Sequence, residues 1–221
     1  MQNRCFAKQI TNNFSTKLKN KSSIVGTILD KNILNYQSIH KKKEKLSVLV
    51  IGGSQGAEIF GTTVPAAMQM IKKQGYDIEI FQQCAQSQAN EIKNFYDKNN
   101  IKNFVFQFHS NIIELISSST IAITRCGAST TAELLHALTP FIAVPLPNSI
   151  DNHQYLNAKY YESKGCCWLL EQNNFNTKNL FNLIMETIKN ENKLENIRDN
   201  MKKNYNKNVY ANIENEIKEL I

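Results

Sequence analysis

Ser47-Val-Leu-Val-Ile-Gly-Gly-Ser-Gln-Gly-Ala57 runs an apolar strand straight into a glycine-rich turn, with a helical pattern resuming behind it. Gly52, Gly53 and Gly56 permit positive φ and let backbone come close to a ligand. The helix that follows directs unpaired N–H groups and its positive dipole end at the same turn. Two readings of the segment stand side by side. It is an anion cradle of the right size for a diphosphate, or it is a tight strand-to-helix turn that holds nothing.

From residue 46 onward, short β-branched runs alternate with amphipathic segments. Leu46–Ile51, Asp77–Phe81, Phe104–Phe106, Thr120–Thr124, Phe141–Pro145 and Cys167–Leu170 are expected strands. Residues 57–74, 87–98, 111–117, 129–138, 152–164 and 177–189 are expected helices, the last with Leu180, Ile184 and Ile188 at helical spacing. Strand following strand through a helix predicts an α/β, Rossmann-like parallel sheet flanked by helices. Such sheets bind ligands beyond the carboxyl ends of their strands. The strand-to-helix loops therefore matter most: 52–57, 82–87, 107–111, 125–131 and 145–154. Residues 191–221 are expected to form one or two terminal helices, and residues 1–45 hold a helix at 4–18 and a short strand at Ser23–Val25.

The chain of 221 residues is 42% apolar and 20% charged, an ordinary globular composition. Its net charge of +7 sits in residues 1–45, where ten Lys and Arg face two acids, against sixteen and seventeen in the rest. The run Lys41-Lys-Lys-Glu-Lys45 suits an anionic surface or, more ordinarily, a solvated linker. No apolar run reaches the roughly 18 residues of a membrane span, and no signal-peptide pattern opens the sequence, so a cytoplasmic location is expected. The five cysteines show no CxxC pair and the four histidines no metal-ligand spacing. Free thiols and no metal are expected.

Three loops can carry chemistry. In Arg125-Cys-Gly-Ala-Ser-Thr-Thr-Ala-Glu133, Gly127 permits a turn, and the Ser129 and Thr130 hydroxyls can meet a phosphate or cap a helix. Glu133, one turn on, can accept from both hydroxyls of a ribose, or it can simply favour the helix dipole. Pro145-Leu-Pro-Asn-Ser-Ile-Asp-Asn-His-Gln-Tyr155 gathers amide and imidazole groups that suit sugar hydroxyls, or sets Asp151 as an N-cap with His153 at the surface. Phe108 and His109 close the third strand, where a ring or exposed backbone can meet a base. A core role for Phe108 is the alternative.

Taken in order, Gly-Gly-Ser-Gln-Gly-Ala at 52–57, Gly-Ala-Ser-Thr-Thr-Ala-Glu at 127–133, Pro-Phe-Ile-Ala-Val-Pro at 140–145 and Asp-Asn-His-Gln-Tyr-Leu-Asn-Ala at 151–158 resemble the signature segments of the MurG family of bacterial cell-wall glycosyltransferases. Asn3-Arg-Cys-Phe-Ala-Lys-Gln-Ile10 and Ile24-Val-Gly-Thr27 resemble the end of that family's first domain and its interdomain segment. The resemblance implies the C-terminal half of a GT-B fold of the family 28 type. Residues 1–45 would be a remnant of the N-terminal domain with its linker, and residues 46–221 the donor-binding domain. Gly53, Ser54, Gln55, Gly56 and Thr130 would contact the diphosphate, Glu133 the ribose, His109 the uracil through its backbone, and His153 with Gln154 the sugar.

The implied donor is UDP-N-acetylglucosamine and the implied acceptor a lipid-linked muramoyl-pentapeptide, held by an N-terminal domain that this sequence lacks. The acceptor hydroxyl would displace UDP in one inverting step, at the inner face of the cytoplasmic membrane. No cofactor, metal or nucleic acid enters, and no catalytic residue is assignable. The implied chain is half of a split enzyme or a truncated one, with a non-catalytic UDP-sugar-binding remnant or interaction module as the alternative. A dinucleotide-dependent enzyme fits less well, because Gly-Gly-Ser-Gln-Gly lacks the GxGxxG spacing. Two departures from the family pattern stand out. Thr27-Ile-Leu-Asp30 replaces the usual proline and arginine after Gly26, with Lys31 a point charge lacking arginine's fork, and His153 stands where the family often has glutamine.

Overall fold

A computed structural model describes residues 26–34, 36, 45–53, 57–205 and 208–218. The helix expected at 4–18, the strand at Ser23–Val25 and the basic run 41–44 lie outside the described residues. Six strands form one sheet: β1 (Leu46–Ile51), β2 (Ile78–Gln83), β3 (Lys102–Phe106), β4 (Ile121–Thr124), β5 (Phe141–Ala143) and β6 (Cys167–Leu169). All pairs are parallel, in the order β3-β2-β1-β4-β5-β6. Nine α-helices are described: α1 (Lys31–Leu34), α2 (Glu58–Lys73), α3 (Gln86–Lys98), α4 (Ile112–Ser117), α5 (Ala128–His136), α6 (His153–Ser163), α7 (Thr177–Ile188), α8 (Glu191–Asn204) and α9 (Val209–Lys218).

The central strand shows why the sheet is sandwiched. Side chains alternate across a strand, and in β1 both sets are buried. Val48 and Val50 pack with Phe60, Val64 and Met68 of α2 and with Leu180 and Ile184 of α7. Leu49 and Ile51 face the other way, onto a cluster that holds Ile116 of α4, Leu134 and Leu135 of α5 and Met201 of α8. At the far edge β3 has helix cover mainly from α3, so Phe104 stays 45% exposed.

The order of the strands reverses between β1 and β4. Chain leaving β1 winds to β2 and β3 on one side, and chain leaving β4 winds to β5 and β6 on the other. A crevice therefore opens beyond the carboxyl ends of β1 and β4, the switch point at which open α/β sheets take ligands. Arg125 N–H donates to Ile51 C=O at 3.1 Å and holds the two strand ends together there.

Helix stops are as specific as starts. α6 ends in a Schellman motif, with Cys166 N–H on Tyr161 C=O at 2.9 Å, Gly165 N–H on Glu162 C=O at 2.8 Å, and Gly165 at φ +66°. A Cβ at Gly165 would also lie 2.6 Å from Nδ2 of Asn200, whose amide donates to the Gly165 carbonyl. Gly165→Ala is expected to cost ~1–2 kcal/mol, since it combines a left-handed alanine with the loss of that bond. Urea denaturation with an unchanged m-value checks this.

The C-terminal helices hold the segment that precedes the sheet. Tyr210 Oη of α9 donates to Leu29 C=O at 2.7 Å. His136 of α5 lies 3.3 Å from Tyr36 C=O through Nε2 and 2.8 Å from Tyr205 Oη through Nδ1. A carbonyl only accepts, so Nε2 carries the proton and Nδ1 accepts from the phenol.

Candidate functional site

The crevice is walled by three loops. The first follows β1. Gly53 takes φ +83°, a left-handed turn open to glycine at little cost, and a Cβ there would meet nothing within 4 Å. Gly52 is not among the positive-φ glycines. Ser54, Gln55 and Gly56, the expected diphosphate contacts, lie outside the described residues. α2 begins at Glu58 with Ala57 as its N-cap, and no side chain caps it. Its first turn is braced from β2: buried Gln82 donates through Nε2 to Phe60 C=O at 3.2 Å and accepts from Tyr96 Oη of α3.

The second loop follows β4. Gly127, N-cap of α5, has φ −65° and ψ 147°, extended backbone available to any residue. Its glycine identity is thus not set by the turn, as the sequence suggests. Nor is it set by packing among the described residues, none of which a Cβ at Gly127 would meet within 4 Å. No side chain caps α5, and its first-turn N–H groups point into the crevice as any helix N-terminus does. Ser129 is exposed and Thr130 half-buried at this end.

Glu133 lies on the same face of α5 as Ser129 and Thr130, four and three residues on. It is half-buried. Burial alone raises its carboxyl above the usual glutamate range; no neighbouring charge or hydrogen bond contributes. Among the described residues, then, nothing compensates the desolvation of this carboxylate. Hydroxyl donors from a ligand would.

The third loop, after β5, is shaped by residues that tolerate left-handed backbone. Asn148 (φ 57°), Asp151 (φ 51°) and Asn152 (φ 53°) all take it. Asp151 is therefore not the N-cap weighed from the sequence. Asn152 holds the N-cap position of α6 without a capping side-chain bond, and Ser149 Oγ, before the turn, accepts from Gln154 N–H at 3.2 Å. The coil delivers His153 and Gln154 to the first turn of α6. His153 Nδ1 lies 2.7 Å from Ile150 C=O and, since a carbonyl only accepts, donates to it, which fixes the exposed ring with Nε2 on its far side.

Gln154 is fixed more tightly. Its Oε1 accepts from Cys126 N–H at 3.2 Å and from Leu146 N–H at 3.0 Å. With the oxygen occupied, the amide is oriented and Nε2 is a donor with no bond among the described residues. Three residues on, Asn157 Nδ2 donates to Cys126 C=O at 3.0 Å. One turn of α6 thus grips both the N–H and the C=O of Cys126, directly before the N-terminus of α5. Sequence reading gave Gln154 a sugar-binding role and gave Asn157 none. The signal was there in the i, i+3 pair of amides on one helical face.

Arg125 is the other residue whose role the sequence did not disclose. Nη1 donates to Val144 and Pro145 carbonyls at 3.2 and 3.1 Å, and Nη2 to Gln172 Oε1 at 2.7 Å. The guanidinium lies 5.1 Å from the centre of the Phe60 ring. It joins the ends of β4, β5 and β6 to the first turn of α2.

His109 sits at the far end of the binding edge, beyond β3. Its Nδ1 accepts from Asn111 N–H at 3.2 Å, and its ring packs edge-on against Phe104 and Phe106 at 5.9 and 5.8 Å. Phe108 is 82% exposed, which removes the core role considered for it. Burial holds the described thiols in their protonated form, pushing Cys126 up to about 12 and Cys166 to about 11. Among the described residues, no group of three His, Cys, Asp or Glu could hold a metal ion, and no helix is long and apolar enough to cross a membrane.

Against this geometry stand the likenesses to known proteins. The glycosyltransferase family 28 C-terminal domain matches residues 47–216. The UDP-N-acetylglucosamine--N-acetylmuramyl-(pentapeptide) pyrophosphoryl-undecaprenol N-acetylglucosamine transferase of Pelagibacter ubique is 36% identical over 187 residues, covering 85% of this chain and 52% of that protein. Its namesake from Rickettsia canadensis is 38% identical over 195 residues, covering 84% and 55%. The chain spans about half the length of the curated relatives it matches. Among solved structures, MurG of Acinetobacter baumannii superimposes with a TM-score of 0.76 over 95% of this chain and 58% of that one. At 23% identity, that likeness shows the fold alone.

Proposed function

Because the chain belongs to the family of the glycosyltransferase family 28 C-terminal domain, we propose that its crevice binds UDP-N-acetylglucosamine. It would do so as the donor half of an inverting N-acetylglucosaminyltransferase acting on lipid-linked muramoyl-pentapeptide in peptidoglycan synthesis. The observation that carries this reading is Glu133. A desolvated carboxylate with no partner among the described residues, one turn along a helix whose N-cap is a glycine that neither its conformation nor a described neighbour requires, matches a ribose next to a diphosphate.

The chemistry follows from the positions. The diphosphate lies between the N-termini of α2 and α5, with Gly53 and the residues after it on one side and Thr130 on the other. Transfer breaks the bond between the anomeric carbon and the β-phosphate oxygen, and negative charge grows on UDP. Preorganised N–H donors aimed at that charge each contribute ~2.7–4 kcal/mol in well-placed cases. The Gln154 and Asn157 grip on Cys126 keeps the α5 donors in place without reorganisation. Gln154 Nε2 donates to a sugar hydroxyl, and His153 Nε2 accepts from another. The backbone at His109 reads the uracil. The acceptor is supplied from a separate N-terminal domain, at the cytoplasmic face of the membrane that carries it, with residues 1–45 as the linking segment.

Isothermal titration calorimetry tests the donor assignment. Selective binding of UDP-N-acetylglucosamine over UDP-glucose is the expected result, and equal affinity or none would sink the assignment. A second reading, binding without turnover, is favoured by Thr27-Ile-Leu-Asp30, which lacks the arginine expected after Gly26. Transfer on addition of an acceptor domain in trans would count against it.

A further inference from the structure

Arg125 has a charge that the described residues leave unmatched. Its three bonding partners, Val144 C=O, Pro145 C=O and Gln172 Oε1, are neutral, and the face of Phe60 lies beside it. No carboxylate among the described residues pairs with it, although Lys93, Lys159 and Arg198 elsewhere in the fold find such partners. The guanidinium is half-buried. A partly desolvated cation normally brings a counter-charge into the fold, because an unpaired one is costly.

Its place explains the exception. The Arg125 backbone is bonded to Ile51, the residue before Gly52, and its side chain leans over the first turn of α2. It therefore stands at the seam where β1 and β4 release their loops. Three neutral bonds fix the fork without discharging it. We propose that Arg125 is the resident cation of the diphosphate site, a positioning residue whose field favours the diphosphate and the charge that develops on it. It thereby fills the place of the arginine lacking after Gly26. This rests on the donor-site reading above.

The competing role is a strut that only ties the ends of β4, β5 and β6 to α2. The two roles separate in a titration of uridine, UMP and UDP against the full chain, wild type, Arg125→Met and Arg125→Lys, with thermal melts alongside. Arg125→Met is expected to lower UDP affinity about tenfold while uridine changes by less than about twofold. Arg125→Lys keeps the charge and loses the fork, and is expected to retain most of the UDP-to-uridine ratio. Equal losses for uridine and UDP in Arg125→Met, or a lysine variant whose ratio collapses, would overturn the proposal in favour of the strut. If Arg125→Met does not fold, the lysine ratio decides alone. Wild-type protein that binds no UDP would instead remove the donor-site reading, a separate failure.

Discussion

Glu133→Gln is expected to weaken UDP binding about 10–100-fold while leaving the folded protein as stable as before or more so. Hydrogen bonds to a charged group contribute about 1.5–3 kcal/mol each, and a ribose presents two hydroxyls to this carboxylate. Glutamine keeps one acceptor oxygen and loses the charge. The loss thus falls between one and two such bonds, offset by what the amide retains.

The stability side follows from linkage. Burial raises the Glu133 carboxyl in the folded chain relative to the unfolded one. Its ionised form therefore costs stability at neutral pH, and that cost disappears as the pH falls through the raised value and below the ordinary one. Glutamine has no charge to desolvate. Its variant should melt at or above wild type at pH 7, with the two converging in acid. Affinity moves the opposite way. Wild-type UDP affinity should decline as Glu133 takes up its proton, at a pH above the usual glutamate range, and the variant should be flat over that step. Protonation of the terminal phosphate, near pH 6, is common to both proteins and cancels in their ratio. Calorimetry and melting curves over a pH series check both halves. A variant that binds UDP as wild type does would take the ribose away from Glu133.

What the sequence discloses here is local, and what it conceals is joined over distance. β1 is readable because its apolar run and glycine turn are contiguous. The helix behind the turn begins within a residue of its expected place. The edge strand is longer than expected, since Lys102 and Asn103 are polar residues that a half-exposed edge accepts. The order of the strands, and with it the crevice between β1 and β4, depends on pairings up to 73 residues apart, such as Val48 with Ile121. The loops were legible as candidates by their glycines and hydroxyls; their mutual bracing was not. Arg125 reaches partners 19, 20 and 47 residues away. Gln154 spends its oxygen on a peptide unit 28 residues back. No pattern within a window of sequence reports such bonds. Phe108 shows the reverse limit, since an aromatic side chain at a strand end has the same composition whether it is in the core or in solvent.

Gly127→Val is expected to abolish detectable UDP binding, a loss of more than about 100-fold, with almost no change in stability. A glycine is usually held in place by its own conformation or by a neighbour, and at Gly127 neither applies. The backbone is at φ −65° and ψ 147°, where a β-branched residue is at ease, and an added Cβ meets no atom of the described residues within 4 Å. Gly165 is the contrast within the same chain, at φ +66° and against Asn200. If Gly127 served the fold, valine would lower the melting temperature. If it served an approaching ligand, valine would fill the space before the first-turn N–H groups of α5 and keep a phosphate from reaching them. Melting within about 2 °C of wild type, roughly 0.5–1 kcal/mol or less for a domain of this size, together with lost calorimetric heat, supports the second case. A stable Gly127→Val protein that still bound UDP would place the diphosphate somewhere other than the N-terminus of α5.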